Sequence, residues 1–213
     1  MIARVLELRS ALAVALPGDD VHPRQIGSVH EDRDLVARAR RGDRWAEEAL
    51  YRRHVRNVTR IAMRLLGRWH EAEDAVQDAF VIALADLQTL SDANAFGGWI
   101  VRIVIHQAHR RFRRRALLRL LGLDRGEDDV TLAQQMDPAA GPDVHLALTE
   151  IDRLLATLPA RERIAWVLRR VEGYRIDEVA AACDCSSATA KRAIARAEAI
   201  IRAHVDFEGG DDE

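Results

Sequence analysis

Hydroxyl-bearing and cationic side chains are concentrated in one short stretch near the C-terminus of the chain. They are Ser186, Ser187, Thr189, Lys191, Arg192 and Arg196. Cations can contact DNA phosphates or guanine, and hydroxyls can contact phosphates or cap the first turn of a helix. This chemistry suits nucleic-acid binding if a helix presents the residues together.

The residues around this stretch predict two short helices joined by a tight turn. Between Tyr174 and Cys183 apolar side chains recur at helical spacing, and Asp184 tolerates the left-handed backbone of a sharp turn. Ser186 or Ser187 can then accept a hydrogen bond from the first free N–H groups of the next helix. The pattern predicts a helix-turn-helix whose second helix enters the major groove of DNA. An ordinary helical hairpin with a solvated face is the alternative.

A second basic stretch lies in a helix predicted from Phe96 to about Leu121, with no acid between Trp99 and Leu123. Its arginines are Arg102, Arg110, Arg111, Arg113, Arg114, Arg115 and Arg119, and its rings include Trp99, His106, His109 and Phe112. Like charges on one helix repel each other, so the run favours a polyanionic partner, and the rings suit unstacked bases. A solvated basic face that compensates the helix dipole is the alternative.

The opposite charge fills the segment that precedes this helix. Between Glu71 and Asp92 there are six acidic residues and no lysine or arginine. Apolar residues from Ala72 to Leu87 form an inward stripe at helical spacing, which leaves an acidic outer face. Such a face is often only solvated, but its one-sided charge also suits a basic partner.

No catalytic or metal-binding motif is evident in the chain. His106 and His109 lie one helical turn apart, but arginines surround them and no carboxylate is near, so we predict no metal site. Phosphate loops, nucleophile elbows and zinc-protease motifs are missing from the sequence, so we predict neither a catalytic residue nor a cofactor. Cys183 and Cys185 are expected to fill small apolar positions around the turn.

The composition predicts an all-α fold of two small helical domains joined by a flexible linker, the C-terminal one containing the helix-turn-helix. The predicted boundaries are an N-terminal extension at 1–30, a first domain at 31–122, a linker at 123–143, a second domain at 144–206 and an acidic tail at 207–213. Residues 1–16 could form an amphipathic helix, either a docking segment or a frayed appendage. No apolar run is long enough to insert in a membrane, and the cysteine usage fits a reducing cytoplasm.

Several motifs, in this order and spacing, resemble the RNA polymerase sigma factors of the extracytoplasmic-function (ECF) group. They are Asp34-Leu35-Val36-x-x-Ala39-x-x-Gly42-Asp43, Glu73-Asp74-Ala75-Val76-Gln77-Asp78-Ala79-Phe80, Phe96-x-x-Trp99-Ile100-x-x-Ile103, Leu158-Pro159-x-x-Glu162-Arg163, Glu178-Val179-Ala180 and Ser187-Ala188-Thr189-Ala190-Lys191. The match covers about Asp32 to Val205. The chain departs from the family's pattern at Ile105-His106, Arg110, Ala188 and Ala193.

The resemblance implies a sigma factor that binds core RNA polymerase through the clamp helices of the largest subunit and directs promoter opening. It implies polymerase contacts by Glu73, Asp74, Gln77 and Asp78, here called the acidic surface. It implies contacts with the minus-ten promoter element by Trp99, Arg102, His106, His109, Arg110, Arg113 and Arg114, the arginine surface. It implies contacts with the minus-thirty-five element by the recognition surface, which consists of Ser186, Ser187, Thr189, Lys191, Arg192 and Arg196. The family is often held by an anti-sigma protein, so such a partner is also implied.

Two other functional classes compete with this interpretation. The first is a stand-alone helix-turn-helix regulator that acts without polymerase, but such a protein needs neither the acidic nor the arginine surface. The second is a metal-dependent nuclease using His106 and His109, which the lack of a convergent ligand set makes remote.

Overall fold

The computed structural model of the protein describes residues 29–122 and 153–208. These residues belong to two compact units, and every regular element in them is helical. The predicted all-α, two-domain fold is confirmed. The predicted N-terminal extension, linker and acidic tail lie almost wholly outside the described residues. Within the described ranges no helix is long and apolar enough to cross a membrane.

The N-terminal unit is built from four helices. They are α1 (Val29–Ala39), α2 (Arg44–Leu66), α3 (Trp69–Ala85) and α4 (Phe96–Leu120), with 3₁₀ turns at Leu87–Thr89 and Ala93–Ala95 before α4. The long α2 is central, because it packs against each of the other three helices.

Local residue chemistry explains where α2 begins and ends. The Asp43 carboxylate accepts hydrogen bonds from the backbone N–H groups of Trp45 (3.0 Å) and Ala46 (3.3 Å) in the first turn of the helix. At the other end Gly67 adopts a left-handed conformation with φ of 71°, and its N–H donates to the carbonyl of Met63. The sequence therefore contains both boundary signals of this helix.

A buried polar cluster joins α1 to α2. The Asp32 carboxylate accepts hydrogen bonds from Arg53 Nη1 (2.8 Å) and pairs with His54 Nε2 (3.0 Å). Burial raises the pKa of Asp32, but the hydrogen bonds from His54 and Arg53 outweigh it, so this pKa lies below its ordinary value. The His54 ring also packs against Phe96 at the start of α4, with centroids 5.2 Å apart. The cluster therefore helps to position the first turn of α4.

The C-terminal unit contains helical residues 153–157, α5 (Ala160–Trp166), α6 (Ile176–Ala182) and α7 (Ser187–Glu208), and α5 continues as a π-helical turn over Val167–Val171. Its core is formed by small and branched apolar side chains such as Val167, Val179 and Ala193. Between α6 and α7, Asp184 has a φ of 51°, which is the left-handed turn that the sequence predicts. Burial raises the pKa of the nearby Cys183 thiol to about 12, in keeping with a packing role.

Candidate nucleic-acid and partner-binding surfaces

The acidic surface lies on the outer side of α3. Glu73, Asp74, Gln77 and Asp78 are all exposed. The buried residues of α3, which is packed against α2 and α4, are Ala72, Ala75, Val76, Ala79, Phe80 and Ala83. Because residues four apart lie on the same side of a helix, the structure brings these four side chains together.

Two arginines of α4 turn toward α3 rather than outward. Arg115 pairs with both carboxylate oxygens of Glu71, at 2.8 and 2.6 Å, and donates to the carbonyl of Leu66 at the end of α2 (3.2 Å). Arg111 Nη2 lies 3.0 Å from Asp78 Oδ2. Asp78, a member of the acidic surface, therefore already has an intramolecular partner. Sequence reasoning missed these pairs because it treated the arginine run as uniform.

The arginine surface occupies the opposite side of α4. A rotation of about 100° per residue places its seven members within an arc of about 140°, whereas Arg111 and Arg115 lie on the other side of the helix. Arg102, His106, Arg110, Arg113 and Arg114 are exposed, and Trp99 and His109 are half-buried. Helix geometry thus brings all the predicted members of this surface together.

Trp99 is held at the base of the arginine surface by the core beneath it. Its ring meets the fully buried Phe96 ring edge-on at 6.0 Å, and Phe96 in turn packs on His54. No group of side chains in the part of the chain that the structure describes could hold a metal ion, His106 and His109 included.

At the start of α7 the hydroxyls of the recognition surface are used for capping. Ser186 Oγ accepts the backbone N–H of Thr189 (3.1 Å), so Ser186 rather than Ser187 caps the helix. Thr189 Oγ1 lies 2.9 Å from Ser186 Oγ and accepts from Arg192 Nη2 at 3.3 Å. These contacts orient Arg192 from within the helix.

The outward face of α7 carries cations separated by methyl groups. Ser187, Lys191 and Arg192 are exposed, together with Ala188 and Ala195. The reverse face is buried in the core of the unit through residues such as Ala190 and Ala197. A helix with cations and methyl groups on its free face can contact phosphates, guanine and the thymine methyl group in a major groove.

Arg196 differs from the other cations of the recognition surface. Its Nε lies 3.1 Å from Oε1 of Glu162 on α5, although 60% of its side chain remains exposed. A contact between Arg196 and DNA would therefore have to share or replace this ion pair.

Two basic surfaces and one acidic surface of this kind fit a class of protein that contacts DNA in two places and a basic partner in a third. The chain matches the family model "Sigma-70 region 2" over residues 50–117 and "Sigma-70, region 4" over residues 148–201.

Among curated proteins, the ECF RNA polymerase sigma factor SigM of Mycobacterium tuberculosis is 34% identical, over 82% of this chain and 86% of its own length. The ECF RNA polymerase sigma-E factor of Escherichia coli is 28% identical, over 80% of this chain and 92% of its own length.

Solved structures of two related proteins share the fold. CnrH, solved in complex with the cytosolic domain of CnrY, is 26% identical and matches with a TM-score of 0.59 over 83% of this chain and 98% of its own. The sigma factor RpoE of Bartonella quintana, solved with the anti-sigma factor NepR, is 21% identical, with a TM-score of 0.58 over 78% of this chain and 98% of its own.

The chain belongs to the ECF RNA polymerase sigma factors. It is therefore a factor that binds core RNA polymerase and directs promoter recognition and the initiation of transcription, and a stand-alone regulator is not favoured.

Proposed function

We propose that the N-terminal unit holds polymerase and promoter DNA on two different sides. The acidic surface of α3 binds the basic clamp helices of the largest polymerase subunit, and the arginine surface of α4 binds the strand opened at the minus-ten element. The observation that supports this most directly is the division of the α4 arginines. Arg111 and Arg115 pair with α3, while the arginine surface is turned the other way. Both partners can therefore be bound at once.

The arginine surface has the chemistry to hold an opened DNA strand. Its exposed guanidinium groups can pair with phosphates, and Trp99 offers a ring against which an unstacked base can pack. The arginines extend over several helical turns beyond Trp99, so the strand would follow α4 toward its C-terminus. Ile105, His106 and Arg110 depart from the family's pattern, so the promoter sequence that is opened is particular to this chain.

The recognition surface of α7 binds the minus-thirty-five element in the major groove. Lys191 and Arg192 contact phosphates or guanine, and Ser187 adds a polar contact. The predicted linker at 123–143 joins the two DNA-binding domains, 31–122 and 144–206. Two weak sites on one chain gain affinity through their effective concentration, and polymerase sets their spacing.

The activity needs no catalysis by this chain and no cofactor, because core polymerase supplies the chemistry. The proposed site of action is the cytoplasm, where core polymerase transcribes. An anti-sigma protein is a further proposed partner, since NepR is the anti-sigma factor seen with the Bartonella quintana relative.

Run-off transcription with core polymerase tests the polymerase contact. The Glu73→Arg, Asp74→Arg double variant should lose promoter-dependent transcript and core binding. Neither residue takes part in the ion pairs found between described residues, so the fold should survive, which circular dichroism can verify. The matched control is Asp86→Arg, an exposed acid at the end of the same helix, which should transcribe normally. Full activity of the double variant would contradict the assignment.

A further inference from the structure

The connection between α1 and α2 carries three exposed arginines and an exposed tryptophan. They are Arg38, Arg41, Arg44 and Trp45, here called the turn patch. Trp45 is 60% exposed, although tryptophan is highly buried on average in folded proteins. Proteins that bind single-stranded nucleic acids combine aromatic rings with cations in this way, because bases stack on the rings and phosphates pair with the cations.

The indole ring of Trp45 is held by contacts that begin at the N-terminal cap of α2. The cap residue Asp43 also pairs with Arg38, whose Nε and Nη2 atoms lie 2.8 and 2.7 Å from Asp43 Oδ2. The Arg38 guanidinium in turn lies over the Trp45 ring, 4.7 Å from its centroid. A ring that is held in place before binding loses less conformational entropy when a base stacks on it.

The other two arginines of the turn patch can bind phosphates. Arg41 and Arg44 are exposed and take part in none of the ion pairs formed between described residues. The carboxylate of the cap residue is already paired within the patch. Glu48, one helical turn from Arg44, is paired with Arg52 at 2.6 Å. The turn patch therefore offers two uncommitted cations beside a partly uncovered ring.

Contacts of Arg40 place the turn patch beside the segment that leads into α4. Arg40 donates through Nε to the carbonyl of Leu87 (3.1 Å) and through Nη2 to the carbonyl of Leu90. Its own carbonyl accepts a hydrogen bond from Gln88 Nε2 (2.9 Å). α1 also packs against the 3₁₀ turn at Ala93–Ala95. One segment of the N-terminal unit therefore supports both the turn patch and the first turn of α4, where the arginine surface begins.

We propose that the turn patch is a second site for single-stranded DNA, in which one base stacks on Trp45 and flanking phosphates pair with Arg41 and Arg44. In the open promoter this site holds the part of the strand that leaves the arginine surface at its Trp99 end, and so prolongs the open complex. The placement on promoter DNA rests on the proposed function of the arginine surface. The binding of single-stranded DNA by the turn patch does not.

Photo-cross-linking of the full-length chain tests the site without polymerase. The probe is a short oligodeoxythymidine with 5-iododeoxyuridine at its centre, and mass spectrometry identifies the cross-linked residue. We expect a cross-link at Trp45 that is lost when the probe is annealed to its complement, because paired bases cannot stack on the ring. Tyr51, which is 44% exposed on the same helix, is the matched control and should not cross-link. No cross-link at Trp45, an equal yield with duplex, or an equal yield at Tyr51 would overturn the proposal.

Arginine substitutions test the phosphate contacts, with the Trp45 cross-link as the measure of binding at several salt concentrations. Arg41→Ala and Arg44→Ala should each lower the slope of log K against log salt by about 0.7, because each removes one single-strand phosphate contact. Arg56→Ala is the matched control. Arg56 is an exposed arginine about 18 Å from Arg44 along α2, and its loss should leave the slope unchanged. An equal change for all three variants would refute defined phosphate contacts.

The lifetime of the open complex, at a promoter that the native holoenzyme transcribes, tests the consequence. Trp45→Ala should shorten this lifetime about tenfold, the size expected of one stacked base, and Trp45→Phe should shorten it less because a ring remains. Affinity for core polymerase should not change. If Trp45→Ala weakened core binding and left the lifetime unchanged, the turn patch would contact polymerase and the proposal would be overturned. If the native chain formed no open complex, the proposed function would fail while the cross-link result stood.

Discussion

The division of the α4 arginines predicts that neighbouring residues of one run have different roles. Arg115 is only 16% exposed and holds both the Glu71 carboxylate and the Leu66 carbonyl. Arg113, two residues away, is exposed on the arginine surface. We therefore expect Arg115→Ala to reduce stability and Arg113→Ala to reduce DNA binding.

The size of the stability effect follows from the contacts that are lost. A hydrogen bond to a charged group contributes about 1.5 to 3 kcal/mol, and removal of Arg115 leaves Glu71, itself 25% exposed, without this partner. Partial solvent access reduces the total, so we expect a loss of about 2 to 3 kcal/mol in the free energy of unfolding. For a unit of this size that corresponds to a fall in Tm of about 10 °C or more. The exposed Arg113→Ala should change stability by no more than about 0.5 kcal/mol.

Scanning calorimetry of the full-length variants measures the first effect, in the transition of the N-terminal unit. Salt-dependent promoter binding by the holoenzyme measures the second. Loss of one single-strand phosphate contact should lower the slope of log K against log salt by about 0.7. The assignment of different roles to Arg115 and Arg113 would be refuted by an unchanged Tm for Arg115→Ala. It would also be refuted if Arg113→Ala lowered the Tm by as much as is expected for Arg115→Ala.

Three other predictions concern acid stability, capping and the need for polymerase. Because the pKa of Asp32 is lower in the folded state, ionised Asp32 adds to the free energy of unfolding above its ordinary pKa of about 4, and this stabilisation disappears as the pH falls through the folded-state pKa. Asp32→Asn should therefore flatten the acid limb of the curve of unfolding free energy against pH, measured by urea unfolding. Ser186→Ala should cost the C-terminal unit about 1 kcal/mol, seen as an earlier calorimetric transition, and no shift would show that the cap is dispensable. The isolated chain should bind promoter fragments weakly and its complex with core polymerase tightly in gel-shift assays at one salt concentration; tight, specific binding by the free chain would contradict this.

The helices could be predicted because their apolar residues are small or branched and recur at helical steps. Periodicity places Ile61, Ala79 and Ile100 inward, and all three are fully buried. Steps of three and four counted from Trp45 through Ala49 predict that Trp45 faces inward, which is wrong because Trp45 lies about 180° around α2 from the buried His54. It is 60% exposed, and the Arg38 guanidinium stacks on it 4.7 Å from the ring centroid.

The faces of the candidate surfaces could be predicted, whereas their internal pairing could not. Helical geometry alone places Glu73 and Gln77 on one side of α3. The Arg111–Asp78 and Arg196–Glu162 ion pairs depend on how one helix is aligned along another, which spacing within a single helix does not reveal. The buried histidine of the polar cluster had a usable signal. Leu50, His54 and Val58 follow steps of four on α2, so His54 lies in the apolar stripe and requires a hydrogen-bond partner, which Asp32 supplies.

The methyl groups between the cations of α7 have a consequence for protein engineering. Ala188 and Ala195 face solvent and support no part of the core, so replacing them changes the free energy of unfolding only through helix propensity, by at most about 0.7 kcal/mol for residues other than glycine and proline. With α7 in the major groove, as proposed, larger polar side chains there would extend toward base edges. A library at these two positions would therefore yield folded factors with altered promoter preference, suitable for independent gene circuits in one cell.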